Sequence, residues 1–258
     1  MHWTEQTLLR ALPNVRVSRS RSGCYPLDRA SDRPCPTESV PTRQFLAELH
    51  AGPQGSYVHG EVLPEALATD CPLPQPLLAG ESVARRSLWI SSGGACSPLH
   101  YDLPAVLLCQ LHGRKRVWLY SPSHHDRMRP LGATFPALTA HERIAATSRA
   151  DLNDLDGYYV ELQPGDALLM PSGWWHEVVS LGEPPTQHDA PVGGGGERGL
   201  CVSVGINWPN IADAIPSFAQ WREYVKTYPL LTQGQVLASY YGEAAAASAP
   251  GYSLPVFG

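Results

Sequence analysis

The chain has 258 residues, 43% of them hydrophobic and 17% charged, with a formal net charge of −5. That apolar share supplies a real core and excludes wholesale disorder, while the net acidity argues against a dedicated nucleic-acid binder. With no apolar run of membrane-spanning length and no charged-then-apolar leader pattern, a cytoplasmic or nuclear protein without a membrane partner is expected.

The 25 prolines and 23 glycines favour many turns over long helices, and the length suits one barrel domain with elaborations. Cys24, Cys35, Cys71, Cys96, Cys109 and Cys201 form no CxxC pair, zinc spacing or compact disulfide framework. Buried, reduced thiols are expected, notably at Cys96 and Cys109.

In chain order, residues 1–12 read as a helix with Trp3, Leu8, Leu9 and Leu12 near one face. Val15 and Val17 alternate with polar residues as a short strand does, and residues 18–36 read as loop. Residues 10–43 hold seven arginines against Asp28, Asp32 and Glu38, a basic arm that offers a route to RNA phosphates. A helix follows over 41–49 with Thr42 as its cap, then an edge strand over 56–63. The prolines of 64–86 exclude regular structure.

The barrel signal runs from 85 to 209. Strands are expected at 87–91, 105–112, 116–120, 158–162, 167–170, 176–181 and 200–208, with residues 121–157 a polar, partly helical excursion. Gly113-Arg114 and Pro164-Gly165-Asp166 read as hairpin turns. Leu200, Val202, Val204, Ile206 and Trp208 share one face of the last strand, and Cys201, Ser203, Gly205 and Asn207 the other. The expected architecture is mainly β with flanking helices, a sandwich or jelly-roll barrel. Residues 1–84 are its N-terminal elaboration and 210–258 a helical extension, within one domain. Pairing 176–181 with 200–208 places the Gly-rich loop 182–199 at the far end from His176 and Asn207, which makes His188 a poor ligand.

His100 and Asp102 lie two residues apart, so on an extended chain both project to one side. With His176 they make two imidazoles and one carboxylate, a set that suits Fe(II) with three positions left open. Zinc with an open position is the inorganic rival. His59-Gly60-Glu61 and His124-His125-Asp126 are other His-x-acid pairs, set aside because neither lies between a glycine-bounded strand and a buried strand. Lys115 shares parity with Val117 and Leu119. If it points inward it needs an anion, because an unpaired buried ammonium is costly.

The runs SPLHYD, LHGRKRVWLYSP, PGDALLMPSGWWH and VGINW resemble the small Jumonji-C (JmjC) oxygenases, strongly over 85–209 and more weakly back to about residue 40. The resemblance implies a double-stranded β-helix of cupin-like, jelly-roll form and Fe(II), with 2-oxoglutarate and O2 as co-substrates and ascorbate as a supporting reductant. By position, His100, Asp102 and His176 match the iron ligands, and Lys115, Ser97 and Tyr57 match contacts to 2-oxoglutarate. Asn207 matches an asparagine near co-substrate and metal, and Trp89 a pocket-lining residue. Val106 stands where many members have asparagine. The implied function is a hydroxylase acting on a side chain of a protein substrate. The alternatives are a tRNA hydroxylase or histone lysine demethylase of the same chemistry, or a non-catalytic metal-binding module. Homodimerisation through the helices after 210 is a further expectation.

Overall fold

The computed structural model describes residues 3–25, 27–28, 33–51, 55–71, 85–102, 105–124, 127, 152, 155–171, 174–182 and 199–208. The expectations for the helices after 210, the dimer they would make, and the interior of the Gly-rich loop lie outside those residues. The first half comprises α1 (Glu5–Ala11), β1 (Asn14–Ser20), β2 (Leu27–Asp28), β3 (Arg33–Pro34), β4 (Thr37–Pro41), α2 (Thr42–Ala51), β5 (Gly55–Val62) and α3 (Glu65–Ala68). The second comprises β6 (Arg85–Ser92), β7 (Cys96–Tyr101), β8 (Ala105–His112), β9 (Arg114–Tyr120), β10 (Gly157–Leu162), β11 (Ala167–Met170), β12 (Trp175–Gly182) and β13 (Leu200–Trp208).

The strands form two antiparallel sheets of a jelly roll, one ordered β11-β8-β13-β6-β5-β1-β4 and the other β10-β9-β12-β7, with β2-β3 a separate short ribbon. Alternation decides which side chains go where. Leu107, Leu111, Val202, Val204 and Ile206 turn outward from the large sheet and pack with Trp3, Leu8, Phe45 and Leu46 from the helical layer. Val106, Leu108, Val117, Leu119, Leu162, Met170 and Val178 turn into the barrel. Strand β13 therefore buries both of its faces, and its smaller, more polar face lines the interior.

Several local expectations give way to long-range pairing. Neither expected hairpin forms. Strand β8 pairs with β11 and β13, while β9 pairs with β10 and β12, so each turn carries the chain from one sheet to the other. Gly113 is the corner between β8 and β9. Its φ is +64°, and a Cβ there would collide with the Leu200 carbonyl and lie 3.2 Å from the Gly182 carbonyl carbon. Likewise β12 pairs with β7 and β9, not with β13, so 176–181 and 200–208 sit in different sheets. Gly182 and Leu200, where the Gly-rich loop leaves and rejoins the barrel, nonetheless both lie against Gly113. Ser91 Oγ donates to Ser180 Oγ across the sheets at 2.8 Å near the same end.

The N-terminal strands belong to the large sheet. Strand β5 is interior, between β1 and β6, and β4 is the edge. Part of the expected loop 18–36 is strand, since β1 runs to Ser20 and β2 and β3 follow. Thr42 lies inside α2 and does not cap it; its hydroxyl donates to the Leu12 carbonyl and its N–H to the Pro13 carbonyl, tying α2 to the end of α1. All six cysteines are free thiols, but Cys96 and Cys109 are only partly buried. Among the described residues no helix is long and apolar enough to cross a membrane.

Candidate metal centre and its pocket

His100 on β7 lies directly opposite His176 on β12. Asp102 follows one residue beyond the end of β7. His100 Nε2 is 4.0 Å from Asp102 Oδ1 and His176 Nε2 is 3.7 Å from Asp102 Oδ2, and one ligand atom from each residue lies within 4.8 Å of the others. Bonds of about 2.0–2.2 Å at right angles need donors about 3 Å apart, so small side-chain movements bring all three onto one ion. Among the described residues this is the one group of three or more such side chains that can hold a metal.

The backbone decides which nitrogen each ring presents. His100 Nδ1 donates to the Pro98 carbonyl at 2.6 Å, and His176 Nδ1 donates to the Trp174 carbonyl at 3.0 Å. A carbonyl only accepts, so both Nδ1 atoms carry the proton and both Nε2 lone pairs face Asp102. Burial, then the neighbouring His100, holds His176 below the ordinary histidine range, against the opposing pull of Asp102 and the Trp174 carbonyl. The imidazole is thus neutral and ready to ligate.

A bulge aims these residues. His176 pairs with His100 and Val178 with Ser97, so one residue of β12, Glu177, faces two of β7, Pro98 and Leu99. The extra residue resets the alternation, and Ser97 and His100, an odd number of residues apart, both turn inward. Proline at a bulge is the sequence trace of this, since a bulge leaves a backbone N–H without a ladder partner.

Deeper in the barrel, Lys115 is 2% exposed. Its Nζ donates to Ser203 Oγ at 2.6 Å and lies 5.9 Å from the Trp89 ring. Among the described residues no carboxylate pairs with it, and desolvation lowers its pKa. Tyr57 is buried and hydrogen-bonded to the Ser97 side chain; burial raises its phenol above the ordinary range, so it stays neutral. Asn207, Val106 and Trp89 converge around Gly205, where a Cβ would lie 3.2 Å from Trp89 Nε1 and 3.5 Å from both Asn207 Oδ1 and Val106 Cγ1. All eight residues singled out from the sequence thus lie on the barrel's inner walls or at its rim.

One residue set aside on sequence belongs with them. His59 pairs with Trp89, and the same row continues to Ser203, the partner of Lys115. Its ring meets Trp89 edge-on at 4.7 Å and Tyr57 at 5.2 Å. Burial, then His100 and Lys115, lowers its pKa to about 3, with Asp102 opposing. His59 and Glu61 do not act as a pair. His59 pairs with Trp89 and Glu61 with Leu88, so Gly60, at φ +69°, is an extra residue between them. This bulge leaves His59 inward and turns Glu61 outward, where it accepts from Arg16 Nε at 2.7 Å. A regular i, i+2 alternation would have brought the carboxylate inside too. The inward parity of Tyr57 and His59 was the available signal.

The basic arm is partly neutralised. Besides the Arg16–Glu61 pair, Arg19 binds Glu38 at 2.6 Å and also Glu48.

Residues 17–214 match the family described as "Cupin-like domain". The chain is 38% identical over 103 residues to Jumonji C domain-containing protein 5 of Drosophila melanogaster, covering 36% of this chain and 24% of that protein. It is 30% identical over 213 residues to HSPB1-associated protein 1 of Rattus norvegicus, covering 70% of this chain and 43% of that protein. It is 31% identical over 159 residues to tRNA wybutosine-synthesizing protein 4 of Emericella nidulans, covering 57% and 15%. The chain spans less than half the length of each of these relatives. A jelly roll with an inward His/Asp/His set, matched along most of its length, leads to one conclusion: this chain belongs to the cupin-like family, among the JmjC relatives of the Fe(II)/2-oxoglutarate oxygenase and demethylase class.

Proposed function

We propose that the protein is an Fe(II)- and 2-oxoglutarate-dependent dioxygenase that hydroxylates a side chain of a protein substrate. The observation that carries this reading is a His/Asp/His face and a buried lysine without a described carboxylate partner, directed into one barrel. His100, Asp102 and His176 hold the metal, each histidine through Nε2, while the Pro98 and Trp174 carbonyls fix ring orientation. Lys115 binds the distal carboxylate of 2-oxoglutarate, with the hydroxyls of Ser97 and Tyr57 beside it and Trp89 and Asn207 lining the same wall. The charges agree: a dication, one aspartate and one lysine sum to about +2, which a dicarboxylate neutralises.

When bound, the ferrous ion and 2-oxoglutarate supply O2-dependent oxidation of a substrate C–H bond, coupled to decarboxylation of 2-oxoglutarate to succinate and CO2. The barrel's contribution is orientation and exclusion of bulk water, both served by Val117, Leu119 and Val178 packed around the site. Val106 places an apolar group where many relatives have asparagine, so Asn207 is the polar side chain at that level.

A protein substrate is preferred over tRNA because Arg16 and Arg19 of the basic arm are engaged by Glu61, Glu38 and Glu48. The test is succinate release from 2-oxoglutarate with and without iron, with ascorbate present. Iron-dependent release supports the enzyme; its absence at saturating iron leaves a metal-binding module. Comparing protein hydroxylation in cells with and without the gene identifies the target, and a change confined to tRNA or to histone methylation would overturn the substrate class.

A further inference from the structure

The His59 ring is inward, against Trp89 and Tyr57, and the chemistry proposed above gives it no part. It continues the row that starts at Ser203, the acceptor for Lys115, and passes through Trp89. His100, Lys115 and Asp102 of the site all act on it electrostatically. The bulge at Gly60 depends on glycine. Gly60 takes a φ of +69°, and a Cβ there would lie 3.2 Å from the Trp89 ring, so the backbone runs tight against the indole. That arrangement keeps the imidazole in the pocket while sending the neighbouring carboxylate of Glu61 out to Arg16. A carboxylate kept at His59's level would repel an incoming dicarboxylate; a ring nitrogen can hydrogen-bond to it.

We infer that His59 is a co-substrate-binding residue, donating a hydrogen bond to 2-oxoglutarate between the metal-binding face and Lys115. The inference rests on the reading proposed above and adds a ligand contact to it. The Trp89 indole, edge-on at 4.7 Å, holds the ring plane, so the contact is preorganised.

The test is binding without turnover, using the whole chain loaded anaerobically with Mn(II), and 2-oxoglutarate titrated by calorimetry. Wild type is measured first: failure to bind 2-oxoglutarate there refutes the proposed function itself, whatever His59 does. Given wild-type binding, His59→Phe keeps a ring against Trp89 but loses both nitrogens. It should bind Mn(II) within about twofold of wild type and 2-oxoglutarate at least tenfold more weakly, about 1.4 kcal/mol. His59→Gln, which can still donate, should recover most of that loss. Should the phenylalanine variant not fold, His59→Leu against His59→Gln makes the same comparison. Unchanged 2-oxoglutarate affinity in the apolar variant overturns the inference. So does an equal loss in the apolar and glutamine variants, or a parallel loss of Mn(II), since each marks a packing role.

Discussion

Lys115 is the most exacting test of the proposed chemistry, because replacing it should raise stability and lower affinity together. Its ammonium is 2% exposed and, among the described residues, has one hydrogen bond, to the Ser203 hydroxyl at 2.6 Å. Burying a cation costs several kcal/mol after relaxation. The hydroxyl bond returns about 1.5–3 kcal/mol, and the indole 5.9 Å away about 1 kcal/mol. Lys115→Met keeps the linear stem and removes the charge, so without ligand the variant should be about 1–2 kcal/mol more stable in urea denaturation. With 2-oxoglutarate the order reverses, since losing one partner of a buried ion pair costs about 3–5 kcal/mol, a roughly 10²–10⁴-fold weaker Kd. The pH dependence supplies a second check. The folded pKa lies below the ordinary 10.5, so between the two values the unfolded chain binds more protons and stability rises with pH. Lys115→Met should flatten that alkaline rise. A variant that is destabilised without ligand and binds 2-oxoglutarate normally would refute the reasoning.

His176→Ala should weaken Mn(II) or Co(II) binding at least a hundredfold while the fold persists, as read by calorimetry beside circular dichroism; retained affinity would exclude His176 from the metal face. Glu48 accepts from the Arg19 guanidinium, with Gln44 and Ser56 assisting, which lowers its carboxyl from 4.5 to about 2. That contribution is complete above pH 4.5 and lost as pH falls towards about 2. At 30% side-chain exposure it amounts to about 1 kcal/mol, and Glu48→Gln should flatten the acid limb of a stability profile by that amount. Shortening the loop over 183–198 should leave Mn(II) affinity within about twofold of wild type, because Gly182 and Leu200 both abut Gly113 at the end away from His176; a larger loss would place the loop at the metal.

Much of the site could be read from the chain because its signals are local. His100 and Asp102 are neighbours on one segment, Lys115 shares parity with Val117 and Leu119, and β13 shows its two faces by simple alternation. His59 was missed through a rule about position in the sequence, although its parity with Tyr57 already pointed inward. The pairing errors share a cause. Sequence reasoning joins neighbouring strands through their turn, and at Gly113 and Gly165 that is the cheapest closure for an isolated hairpin. In the folded barrel each such turn crosses between sheets, because burying Val117, Leu119 and Leu162 against Val106 and Leu108 outweighs the shorter loop.

Alternation along single strands determined a mainly β barrel, a two-histidine, one-carboxylate set and the shared parity of Lys115 with Val117 and Leu119, since side-chain parity along a strand needs no partner to be known; that Lys115 is buried was decided by the fold. Which strands meet, and therefore that His176 stands opposite His100, was decided only by tertiary structure. So were the two one-residue bulges, at Pro98 and at Gly60, that bring Ser97 to the same interior as His100 and turn Glu61 out of it. A bulge is defined by two strands counted against each other, and one strand's sequence does not contain the count.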